Sequence, residues 1–194
     1  MARPVGHLHL TFDDGPDPCW TRAVLEALAR ARARATFFVL GERVDAHPEL
    51  VTEVLQAGHA VGLHGHRHLR HSTIDAQAGA RDTTEGLASL RRAGVRPRRW
   101  RTPWGVVAPW TTVEARRHRL TLTHWSADTH DWRGDRPDAM LDAVRDDLTD
   151  GAIVLAHDGL GPGASRKDCS ATVALIEPLV AAGRARGLEP EVLA

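Results

Sequence analysis

An α/β fold built on a largely parallel sheet is what this 194-residue sequence predicts. Apolar runs of strand length alternate with stretches of helical spacing from one end to the other, the pattern of strands joined by crossover helices. Polar clusters able to do chemistry fall just after five of the strand-like runs, where a β/α barrel carries its active site. The composition, 42% hydrophobic and 26% charged, suffices for one core. With no internal repeat, low-complexity linker or boundary, residues 1–194 read as a single catalytic domain.

The elements follow in order. Residues 7–12 (HLHLTF) read as a strand ending in an acidic turn, and residues 20–32 as a helix from the spacing of Val24, Leu25 and Leu28. Residues 35–40 (ATFFVL) are a buried strand. Residues 48–57 are a helix, opened by Pro48 and stopped by Gly58. A short strand at 60–63, a helix at 74–93 stopped by Gly94 and a strand-like 99–101 come next. Helix 109–118 leads to strand 120–125, and helix 137–148, closed near Gly151, leads to the buried strand 152–156 (AIVLA). Residues 169–186 are helical, with Pro178 expected to bend or split them, and 191–193 are read as a closing strand.

Composition narrows the function. The formal net charge is zero, which argues against broad electrostatic binding to nucleic acid or an anionic membrane. All the basic residues are arginine except Lys167. Twelve histidines are many for this length, and histidine is the commonest metal ligand. Cys19 and Cys169 are too few for a disulfide scaffold and fit no zinc motif, although one long-range bridge stays open. Residues 1–12 lack the basic start and apolar run of a signal peptide, and no apolar stretch nears the roughly 20 residues that span a bilayer. The chain as given is expected to be a soluble, cytoplasmic monomer, or extracellular if it is a trimmed domain.

The five clusters carry the chemistry. In Thr11-Phe12-Asp13-Asp14-Gly15-Pro16, adjacent carboxylates point in different directions, so one can bind a cation while the other acts as a base; a plain Asp-Gly-Pro turn is the bland alternative. In the run from His64 to His71, His64 and His68 share a face if the chain is helical, and with a carboxylate they form a two-His, one-carboxylate site. On an extended chain, His64 and His66 would pair instead. In Arg101-Thr102-Pro103-Trp104-Gly105, the arginine can hold Asp13 ionised, and the turn can aim an N–H at a substrate oxygen. The last two clusters are 125–132, holding Asp131 and Trp132, and 155–159, holding Leu155 and His157. A carboxylate such as Asp131 would orient the His157 ring and raise its pKa, which suits a general acid.

Taken in this order, TFDDGP, His64-x-x-x-His68, RTPWG, Asp131-Trp132 and LAHD resemble the polysaccharide deacetylases with the NodB homology domain, carbohydrate esterase family 4. The connecting stretches ATFFVLG, PELV and AGHAVG are similar as well, so the resemblance spans the whole chain. It implies a distorted, incomplete (β/α) barrel and one divalent metal ion, zinc first, with cobalt or nickel as alternatives. Asp14, His64 and His68 would be the ligands, Asp13 the general base held by Arg101, and His157 the general acid tuned by Asp131. Pro103, Trp104, Trp132 and Leu155 would meet the substrate, with the Trp104 N–H at the oxyanion. The expected substrate is an acetylated amino sugar, in an oligosaccharide, a cell-wall fragment or a small metabolite. An O-acetyl ester, a cyclic amide, or a catalytically dead binding protein are the competing readings. Gly65 departs from the family, which usually has Ser or Thr there to brace the loop, so looser ligand geometry is expected. Leu63 and Trp104 replace a common Asn and Tyr.

Overall fold

The computed structural model describes residues 6–193; residues 1–5 and 194, the ends of the expected single domain, lie outside it. The chain runs through β1 (Gly6–Asp13), α1 (Trp20–Ala31), β2 (Ala35–Val39), α2 (Gly41–Ala46), α3 (Pro48–Gln56) and β3 (Ala60–Leu63). It continues with α4 (Ala76–Arg92), β4 (Arg99–Trp100), α5 (Pro109–His118), β5 (Thr121–Leu122) and β6 (Ala127–Asp128). It closes with α6 (Pro137–Val144), β7 (Ala152–His157), α7 (Ser170–Ala185) and β8 (Leu188–Pro190).

Every strand pairing is parallel, in the order β5-β4-β3-β2-β1-β7-β6, with β8 beside the start of β1. The central strand β1 pairs with β7 from Leu8↔Ala152 to Asp13↔His157, which fixes Asp13 and His157 side by side. Strands β5 and β6 are consecutive in the chain yet lie at opposite ends of the sheet. The five steps from Leu122 to Ala127 reach at most about 17 Å, so the two edges must curl toward one another. Because these edges do not pair, the sheet is an incomplete barrel, as the resemblance implies.

Burial explains the elements. All five residues of β2 are buried, because in a β/α barrel helices cover one face of a strand and the other faces the packed interior. In α1, Thr21, Val24, Ala27, Leu28 and Ala31 make one buried stripe. In α7 the stripe is Thr172, Leu175, Ile176, Leu179, Val180 and Gly183. That stripe keeps α7 continuous through Pro178, which does not split it: core packing outweighs one lost backbone hydrogen bond.

Other expectations shift. The strand expected at 120–125 shortens to β5 at 121–122, and β6 at 127–128, unforeseen, follows it on the other edge. Helix α2 is unforeseen, α4 starts at Ala76 after a single 3-10 turn at His71–Thr73, and α6 ends at Val144. The closing strand is β8 at 188–190, earlier than 191–193. Both cysteines are free, Cys19 exposed and Cys169 buried, so the open disulfide is excluded. No helix of the described residues is long and apolar enough to cross a membrane.

Candidate active site

The C-terminal ends of the strands open onto a cleft of about 340 Å³, lined by Asp13, Asp14, His64, His68, Trp104, Trp132, Leu155 and His157 among others. Eight of the eleven residues singled out from the sequence therefore share one cavity. Arg101 and Asp131 sit behind it, each bonded to a residue that lines it. Pro103 does not reach the cleft: it is buried at the start of the Pro103–Gly105 turn, and its service is to set that turn.

The two adjacent carboxylates divide. Asp13 ends β1 in extended backbone, whereas Asp14 has φ 73, which turns its side chain elsewhere. Asp13 Oδ1 accepts from Arg101 Nη1 at 2.8 Å. Arg101 is 0% exposed and donates also to Thr11 Oγ1, to the Thr123 carbonyl through Nε and to the His124 carbonyl through Nη2. The Phe38 ring lies 4.3 Å from its guanidinium carbon. Those carbonyls belong to the link between β5 and β6, so Arg101 both anchors Asp13 and stitches the gap in the barrel.

Asp14 faces the histidines. Its Oδ1 lies 3.4 Å from His64 Nε2 and 3.2 Å from His68 Nε2, and one ligand atom from each of the three residues lies within 4.8 Å of the others. His64 Nδ1 donates to the Arg101 carbonyl at 2.8 Å, which fixes the tautomer and leaves the Nε2 lone pair free. Asp14 Oδ1 is buried with no protein hydrogen-bond partner, a costly state for a carboxylate oxygen unless a cation meets it. Burial works against ionising Asp14, but His64 and His68 outweigh it and hold the carboxyl well below the ordinary range. Two imidazoles and a carboxylate, with the remaining side open to the cleft, suit a divalent metal. Gly161 belongs to the loop beside this point: a Cβ there would collide with Asp14 Oδ2.

The histidine pair is not helical. Residues 64–70 form a loop that turns at Gly65, where φ is 107, and the loop brings both rings to Asp14. The alternative His64–His66 pairing does not form: His66 Nδ1 lies 3.5 Å from Ser89 Oγ, and His66 is not among the cleft residues. His71 is a core residue, bonded to Thr111 Oγ1 and packed on Trp100 and Trp110, and burial pushes its pKa down to about 4.

On the other side of β1, His157 Nδ1 and Asp131 Oδ1 are 2.7 Å apart, and the His157 N–H donates to Asp131 Oδ2. Burial would lower the His157 pKa. The Asp131 charge and hydrogen bond, then Asp14 and Asp13, raise it instead to about 9. Asp131, where burial opposes the charge but His157 and then Arg166 favour it, falls to about 2. Sequence reasoning missed Arg166, which donates to Asp131 Oδ2 at 2.7 Å, to Thr172 Oγ1, and to the carbonyls of His157 and Gly159. In a chain whose basic residues are nearly all arginine, nothing local marks this one. Trp104 (41% exposed, φ 54) and Trp132 (36% exposed) both line the cleft, Trp104 with its ring 4.1 Å from that of His68.

The chain is similar to several known proteins. Residues 2–123 match the family model described as polysaccharide deacetylase. A chitooligosaccharide deacetylase of Bradyrhizobium sp. is 34% identical over 189 residues, covering 94% of this chain and 86% of that protein. A peptidoglycan-N-acetylglucosamine deacetylase of Bacillus cereus is 34% identical over 171 residues, covering 87% of this chain and 79% of the other. Among solved structures, a family 4 carbohydrate esterase from Streptomyces lividans in complex with acetate superposes with a TM-score of 0.88 at 27% identity, covering 97% of this chain and 93% of that one.

Proposed function

The chain belongs to the polysaccharide deacetylase family, and from that membership we propose that it hydrolyses the acetamide of an N-acetylated amino sugar to acetate and a free amine. One observation carries the reading. A donor set for a divalent metal, a carboxylate fixed by an arginine and a histidine fixed by an aspartate all face one cleft. Asp14, His64 and His68 would hold the metal, for which we propose zinc. When bound there, it would supply Lewis acidity, polarising the acetyl carbonyl and acidifying a water.

The protein's own groups do the rest. Asp13, paired with Arg101, takes a proton from the attacking water as its oxygen bonds to the acetyl carbon. The Trp104 N–H donates toward the carbonyl oxygen, where negative charge develops. His157 is cationic at neutral pH, and with Nδ1 engaged by Asp131 it has Nε2 left for the substrate. It gives that proton to the sugar nitrogen as the C–N bond breaks, and the amine leaves neutral. Trp104 and Trp132 offer flat faces for the sugar, and Leu155 lines the floor near the acetyl group. Every one of these groups comes from a single chain, so a monomer suffices. EDTA is expected to abolish acetate release from an N-acetylated chitooligosaccharide, and zinc or cobalt to restore it. Full activity after the metal is stripped would overturn the reading.

A further inference from the structure

We propose that Asp82, on α4 and outside every sequence motif of the site, is the positioning residue that clamps the loop between the two histidine ligands. This inference rests on reading Asp14, His64 and His68 as the metal site, and it explains how a chain with Gly65 holds them.

Asp82 is a 3% exposed carboxylate that makes no contact with the cleft. Its Oδ2 accepts from the His66 N–H and its Oδ1 from the Arg67 N–H, each at 2.9 Å. The loop's carbonyls are taken from the other side: Gly65 and His66 accept from the N–H groups of Gly41 and Glu42, at the start of α2, at 2.9 and 3.0 Å. The His64 N–H donates to the Val39 carbonyl at 2.9 Å. The peptide groups that separate the two ligands are thus gripped from both sides, one of them by a single carboxylate. Both oxygens of Asp82 are used, one per amide, so the arrangement fixes the direction of the loop as well as its place.

Glycine at 65 and aspartate at 82 belong together. A Cβ on residue 65 would lie 2.9 Å from Asp82 Oδ2, so the carboxylate occupies the space that a larger residue would claim. Gly86, one turn further along α4, lets the helix lie against the loop: a Cβ there would meet the Gly65 carbonyl carbon at 2.9 Å. The bracing that a hydroxyl after the first histidine would give is supplied here from a neighbouring helix.

The test uses Co(II) alone as probe, with affinity measured by competition against a chromophoric chelator and geometry read from the visible Co(II) band. Asp82→Asn keeps the shape, yet its amide can accept only one of the two N–H groups. It is expected to weaken Co(II) binding about 10–100-fold, as loss of groups that orient metal ligands commonly does. It is also expected to shift the Co(II) band and to speed hydrogen exchange at the amides of 66 and 67. Asp82→Ala should do the same more strongly, with circular dichroism confirming the fold in both variants. His68→Ala is the control. If it lowers affinity while Asp82→Asn leaves affinity and band as in the unmodified protein, the clamp is wrong and the metal site stands. If His68→Ala has no effect, the metal site fails and the clamp with it.

Discussion

Asp131→Asn isolates what an aspartate does for a buried histidine. Without a bound cation, His157 stands at about 9 against an ordinary value of 6.5. That difference amounts to about 3 kcal/mol in favour of the imidazolium. The Asp131 charge and hydrogen bond are the two largest contributions that raise it, ahead of Asp14 and Asp13, while burial is the largest effect and acts downward. A divalent cation at Asp14 offsets the last two, so the metal-loaded enzyme should lose activity on the alkaline side at or below about pH 9. In Asp131→Asn only burial remains strong, and Arg166 is left without its counter-charge. The alkaline limb should therefore fall below 6.5. Each unit of that shift costs about tenfold in rate above the limb, so a shift of two units removes about 100-fold. The assay is kcat/KM for acetate release by zinc-saturated enzyme from about pH 5 to about pH 10. Rates should partly recover toward the acid end, where the variant's His157 regains its proton. A profile that keeps its limb and is merely scaled down at every pH would refute the argument.

Three further substitutions probe the same scaffold. Asp13→Asn is expected to bind Co(II) as the unmodified protein does, since Asp13 is not one of the three proposed ligands, yet to lose about 10²–10⁴-fold in kcat, the usual worth of a general base. Arg166→Met removes one partner of a buried ion pair and should lower unfolding stability in urea by about 3 kcal/mol. With one cation fewer beside Asp131, its alkaline limb should move up, opposite in sign to Asp131→Asn. Gly65→Ser places a side chain at φ 107 against Asp82, at an expected cost of about 1–3 kcal/mol by urea denaturation. It should weaken Co(II) binding even though serine is the residue usual in the family.

Parts of the fold that depend on local chemistry were legible in the sequence. The run ATFFV reads as a doubly buried strand because parallel strands need apolar residues on both faces, and all five are buried. Pro48, Pro109 and Pro137 mark helix starts because a first-turn N–H has no partner to lose. The two-residue strands were not legible. Thr121–Leu122 and Ala127–Asp128 lie in one stretch of sequence, but their partners are β4 and β7, on opposite sides of the barrel. Nothing within the stretch says where one edge ends and the other begins. Helix α2, six residues long, is too short for its periodicity to stand out.

The site divides along a similar line. The motif residues that face the cleft follow the ends of strands, so their order in the chain already encodes their meeting. Asp13 and His157 are neighbours because the β1 and β7 registers place them opposite one another. Asp82 lies outside the cleft, and Arg166 reaches its lining from the loop that precedes α7. Each acts by satisfying the backbone or the charge of another residue, and that depends on how a helix or loop is laid over the sheet. In sequence, Asp82 is one acid in a polar helix and Arg166 one arginine among many. The carboxylate–histidine pair shows the consequence. Read alone, Asp131 and His157 are a base and an acid of ordinary strength. Enclosed with Arg166 and Thr172, Asp131 stays ionised at 0% side-chain exposure, and only an ionised Asp131 can hold His157 protonated through neutral pH. The acid's strength is therefore a property of four residues, of which the motifs name two.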